Sequence, residues 1–88
     1  MHIVKRRGHT EEFDEHKVYG SAYAACLNAH LTKTLSENIA DNVVRRVKDW
    51  IKDKNDVTSD QIFNQIKDVL MELHKDASFR YETHRDLS

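Results

Sequence analysis

One stripe of apolar side chains constrains this chain more than any other feature. Leu35, Ile39, Val43, Val47, Trp50 and Ile51 recur mostly at four-residue steps, while Asp41, Arg45, Arg46 and Lys48 fall largely off that line. Only a helix places such a set on one face, because in a strand alternate positions would turn to solvent. A lone amphipathic helix is marginal in water, so this one commits the chain to packing helix against helix or helix against sheet. Thr34-Leu35-Ser36-Glu37 has the form of a capping box at its start, and the pattern runs to about Lys54.

Partners for that stripe lie on both sides. Asp14 is a credible N-cap for a helix over roughly Glu15–His30, whose Val18, Ala22, Ala25, Cys26 and Ala29 share one face of mostly small residues. After the polar break at Lys52–Asp56, Thr58-Ser59-Asp60-Gln61 offers a second capping box. The helix that follows carries Ile62, Ile66, Val69, Leu70 and Leu73 as its buried stripe, with Phe63 beside it. A fourth, shorter helix after Asp76 carries Ala77, Phe79, Tyr81, His84 and Arg85. The absence of proline and a charged fraction of 33% suit long solvated helices.

The first fourteen residues differ in texture. Ile3–Arg6 reads as a strand, Arg7-Gly8-His9 as a turn and Thr10–Phe13 as a return strand. A two-stranded hairpin is marginal alone, so it is expected to lie across the end of the helical body. The sequence thus predicts one α+β domain over residues 1–88, mostly helical: a β cap at 1–13 and a four-helix bundle at 14–88. Met1 reads as a true start, and no stretch has the character of a signal peptide or a membrane span, which predicts a soluble cytoplasmic protein. A single cysteine, Cys26, fits a reducing compartment, and on an alanine-rich face it reads as a small buried hydrophobe.

Chemistry concentrates between Lys5 and Val18. Basic Lys5, Arg6 and Lys17, a helix N-terminus with free N–H groups, acidic Glu11 and Asp14, and apolar Phe13 and Val18 fall within fourteen residues. A purine nucleotide needs that combination: cations for phosphates, a carboxylate for an amino group, apolar walls for a ring. A solvated charged hairpin is the plainer reading of the same residues. Six histidines without close i, i+4 pairing do not make a metal site, and no Walker-type loop or carboxylate cluster points to phosphoryl transfer. A net charge of −1 gives no ground for nucleic-acid or membrane binding, and Arg45-Arg46-x-Lys48 reads as a solvated helix face.

The run Lys5-Arg6-x-Gly8 followed by Phe13-Asp14-x-x-Lys17-Val18 resembles the N-terminal signature of the ATP-cone domain, found in many ribonucleotide reductase large subunits and in their bacterial transcriptional repressor. Val57-Thr58-Ser59-x-x-Ile62 is similar to the start of that family's third helix, and Tyr81-x-x-His84-Arg85 looks like its closing aromatic and arginine motif. The resemblance implies a four-helix domain covered by a small sheet that binds ATP or dATP as an effector, with Mg2+ accompanying the phosphates, and catalyses nothing. Residue by residue, it implies Lys5, Arg6 and Arg85 on phosphates, Glu11 and Asp14 facing the base, and Ile3, Phe13 and Val18 around the ring. Lys17 would reach the ribose or phosphates, and Ser59 would lie near the sugar. Arg7 replaces an acidic residue of the family pattern, and Phe63 replaces a polar one. The implied role is control of a partner or parent protein, a ribonucleotide reductase among the candidates, or of self-association. The alternative is a helical protein-interaction module that keeps the scaffold without the nucleotide.

Overall fold

Each helix starts where a side chain can take over an unpaired backbone donor. The computed structural model describes residues 2–4 and 10–87, the last four of these as backbone alone. Within them, strands β1 (His2–Val4) and β2 (Thr10–Glu12) lead to helix α1 (Glu15–Asn28) and helix α2 (Lys33–Ile51). Strand β3 (Asp56–Thr58), helix α3 (Ser59–Leu73) and helix α4 (Lys75–Leu87) complete the order. Asp14 caps α1 by accepting from His16 N at 2.9 Å. At α3 the expected box is formed reciprocally: Gln61 N donates to Thr58 Oγ1 at 3.0 Å, and Thr58 N to Gln61 Oε1 at 2.9 Å. His74 ends α3 and starts α4, its Nδ1 accepting from Ala77 N at 3.2 Å.

Several boundaries differ from the sequence reading: α2 ends at Ile51, short of Lys54, α4 starts at Lys75, ahead of Asp76, and the α1–α2 turn is placed differently. α1 stops at Asn28 because His30 adopts a left-handed backbone (φ 66°). The turn is then closed by Leu31 N donating to Cys26 O and His30 N to Leu27 O, the Schellman arrangement. α2 is capped by Thr32, whose Oγ1 accepts from Leu35 N at 3.2 Å. Thr32 is the last extended residue (φ −66°, ψ 159°), so Thr34 is already inside the first turn and has no cap to make.

The sheet has three strands in the order β2-β1-β3, antiparallel between β1 and β2 and parallel between β1 and β3. The sheet gains a third strand beside β1, Asp56–Thr58, which begins on the last residue of the expected polar break and runs into the start of α3. Ile3 stands opposite Glu11 on one side and Val57 on the other, and these residues face the helices. Ile3 and Val57 are 8% and 2% exposed, whereas the alternate positions His2, Glu12 and Asp56 lie on the outer surface. There His2 Nδ1 lies 3.1 Å from Glu12 Oε1. The expected turn Arg7-Gly8-His9, and Lys5 and Arg6 of the expected first strand, lie outside the described residues.

The helices form a ring in which α1 packs on α2 and α4, and α3 on α2 and α4, with little contact across the α1–α3 diagonal. All five predicted positions on α1 are buried, as are Ile39, Val43, Val47 and Ile51 on α2 and Ile62, Ile66, Val69 and Leu70 on α3. Each fully buried aliphatic contributes about 1.5–3 kcal/mol before the entropy of ordering is subtracted. Leu35 departs from the expected stripe, 43% exposed in the first turn of α2. Trp50 packs partly against the core with Lys54 Nζ 4.9 Å above its ring. Ser78, buried on α4, donates from Oγ to Lys67 O at 2.9 Å and so ties α4 to α3. The polar side of α2 reaches its neighbours through Lys48 to Glu15 of α1 and Arg46 to Glu72 of α3. No helix among the described residues is long and apolar enough to cross a membrane.

Candidate functional site

Because β2 and β3 each run into a helix, the N-termini of α1 and α3 rise from the same small sheet. Beneath that sheet their facing sides bound a cavity of about 280 Å³. From α1 come Asp14, Lys17, Val18 and Ser21, and from α3 come Ser59, Ile62 and Ile66. Steps of three and four residues put each set on one face of its helix, and each row covers two turns, about 10 Å. The sheet adds Ile3 and Glu11, the β2–α1 link adds Phe13, and α4 adds Tyr81.

The site is graded from polar to apolar. Glu11, Asp14, Lys17 and Ser59 gather where the two helices begin, and Val18, Ile62 and Ile66 line the part that runs into the core. Glu11 points inward because the register pairs it with Ile3, and its Oε1 lies 3.8 Å from Lys17 Nζ. Lys17 is 69% exposed, so its ammonium can follow a ligand at little cost. Asp14 spends one acceptor position on its cap and keeps others, since a carboxylate has about four. Two helix N-termini in one place add partial positive charge at the polar end. On the inner side Ser21 Oγ donates to Val18 O at 3.0 Å, and Tyr81 stacks on Phe63 with ring centroids 4.8 Å apart and an interplanar angle of 21°.

Of the residues expected from the sequence, Ile3, Glu11, Phe13, Asp14, Lys17, Val18 and Ser59 line this one cavity. Lys5 and Arg6 lie outside the described residues, as does the side chain of Arg85, whose backbone belongs to α4. Ser21, Ile62, Ile66 and Tyr81 line the cavity as well, beyond the site residues expected from the sequence. For Ser21 a signal existed: it stands four residues after Lys17 and so continues the same face. Ile62 and Ile66 belong to the buried stripe of α3 (8% and 3% exposed), so core and cavity share these side chains.

A larger open groove of about 460 Å³ runs between α1 and α2, past Glu15, Tyr19, Asp41, Arg45 and Lys48. Its charges are mixed in sign, and Lys48 is already paired with Glu15 at 2.9 Å. It lacks both the apolar depth and the paired helix N-termini of the cavity under the sheet, which is the better ligand site.

The family profile of the ATP cone domain fits residues 1–86 of the chain. None of the curated proteins matches the chain. ATP cone domains are regulatory nucleotide-binding domains without catalytic activity of their own. With the profile covering nearly all of its 88 residues, the chain belongs to the ATP-cone family.

Proposed function

We propose that this chain binds ATP or dATP as an effector beneath its sheet and thereby controls the assembly or activity of a partner or parent protein, with no chemistry of its own. The observation that carries the reading is the gathering of Ile3, Glu11, Phe13, Asp14, Lys17, Val18 and Ser59 around one cavity. At about 280 Å³ that cavity lies at the lower limit of ligand pockets (~300 Å³), so it suits a nucleoside and leaves the phosphates outside. They would lie beyond the rim, reached by the exposed Lys17 and held by Lys5, Arg6 and Arg85 as the family resemblance implies. The carboxylates of Glu11 and Asp14 accept from the exocyclic amine of the base, and Val18, Ile3 and Phe13 cover the ring. Mg2+ accompanies the phosphates as the nucleotide's own counter-ion.

Regulation requires that the nucleotide favour one state of the chain or of its assembly, because equal affinity for two states shifts nothing. A ligand wedged between sheet, α1, α3 and α4 touches four elements at once and therefore biases how they sit together. The regulated protein would be a ribonucleotide reductase or another cytoplasmic partner whose output must follow adenine nucleotide supply. Thermal unfolding with ATP, dATP and GTP tests the reading. At a hundred times its dissociation constant a ligand adds ~2.7 kcal/mol, a rise of roughly 10–20 °C for a domain of this size. A melting temperature unmoved by millimolar ATP and dATP would leave the helical interaction module as the better account.

A further inference from the structure

The residue that α4 adds to the cavity is an aromatic one, stacked on a ring of α3. Tyr81 lines the cavity, and its ring lies nearly parallel to that of Phe63 at a centroid distance of 4.8 Å. Phe63 itself is not part of the lining; it belongs to the neighbouring face of α3, one position after Ile62. The apolar lining besides Tyr81 is aliphatic Ile3, Val18, Ile62 and Ile66 together with Phe13 from the β2–α1 link. An aromatic stack is worth more than its area alone and holds both rings in one orientation. Of the two aromatic rings in the lining, Phe13 and Tyr81, Tyr81 is the one held in a stack with a ring outside the cavity, and a flat, preorganised ring suits a flat ligand.

We infer that Tyr81, backed by Phe63, is the surface on which the nucleobase stacks, and that it gives the site its preference for purines over pyrimidines. This rests on the adenine-nucleotide reading above. A purine overlaps a phenol ring more fully than the smaller pyrimidine does, so loss of the ring removes more from ATP than from CTP. Base–aromatic stacking of the usual strength corresponds to a loss of roughly ten- to a hundredfold in affinity. Phe63 acts through Tyr81 as a positioning residue, and its removal loosens the ring without exposing the base.

Calorimetric titration of the full chain with ATP and CTP tests this, comparing the wild type with Tyr81→Phe, Tyr81→Leu and Phe63→Leu. Tyr81→Phe should keep both affinities within about twofold, since the ring survives. Tyr81→Leu, which retains most of the bulk packed against the core, should weaken ATP about tenfold or more and CTP by less, so that the ATP/CTP ratio falls toward one. Phe63→Leu should fall between the two. Nuclear Overhauser contacts between adenine protons and the Tyr81 ring in the unaltered chain give a second readout that does not depend on any variant folding. Equal losses for ATP and CTP in Tyr81→Leu, or an ATP/CTP ratio that does not change, would overturn the inference, as would bound ATP without contacts to Tyr81. Failure of the wild type to bind ATP at all would instead remove the adenine-nucleotide reading, and this inference with it.

Discussion

Replacing His30 by glycine should make this protein more stable, although it deletes an entire side chain. His30 has φ 66°, the left-handed region, and occupies the position after the C-cap of α1. There its N–H donates to Leu27 O at 3.0 Å while that of Leu31 donates to Cys26 O at 3.1 Å. A residue with a Cβ in this conformation costs about 1–2 kcal/mol, which glycine avoids. Glycine also gives the unfolded chain more freedom, an offset of about 0.5–1 kcal/mol. The imidazole is exposed, so no burial is lost with it. The mid-values leave a gain of about 0.75 kcal/mol, or a rise of ~3–6 °C in the melting temperature of a domain this size. Calorimetry on the wild type, His30→Gly and His30→Val measures it directly, with the β-branched valine expected to melt below the wild type. If His30→Gly unfolds at or below the wild-type temperature with an unchanged circular dichroism spectrum, the strain at this turn has been misjudged.

Other substitutions probe the caps, the cavity and the core. Thr32→Ala and Thr58→Ala should each lower stability by about 1 kcal/mol through loss of a cap, while Thr34→Ala changes it little; urea titrations of the three variants separate the cap from its decoy. Ser21→Leu extends a side chain into the cavity and should abolish the ATP-induced rise in melting temperature while the chain still folds, as followed by circular dichroism. Burial pushes the Cys26 thiol above its ordinary range, so the folded chain holds that proton more tightly than the unfolded one. Its contribution is then complete below about pH 8.5 and declines as pH rises beyond it, a decline that Cys26→Ala should remove from the pH dependence of stability.

The helical part of this fold was legible because its signals are local. Stripes on α1, α2 and α3, the Asp14 cap and the Thr58–Gln61 box all depend on residues within one or two turns of each other. The Thr34 pattern misled for the same reason: Thr-Leu-Ser-Glu satisfies the spacing of a capping box, but the left-handed turn at His30 delivers an extended chain at Thr32, and the first extended oxygen in line takes the role. β3 was not legible because Val57 is its only apolar residue and its partner β1 lies far away in sequence; three residues become a strand only when Ile3 is beside them. The cavity was legible from α1 and the sheet, where charge and apolar residues alternate within a short run. Its other walls were hidden because Ile62 and Ile66 serve the core at the same time, and Tyr81 enters from the far end of the chain.

Backbone amide chemical shifts of the full chain, recorded while ATP is added, address the central claim most directly. Saturable changes should concentrate at Ile3, Val18, Ser21, Ser59 and Ile66, around the starts of α1 and α3. Changes confined to the groove of Tyr19, Asp41 and Arg45, or no saturable change at millimolar ATP, would contradict it.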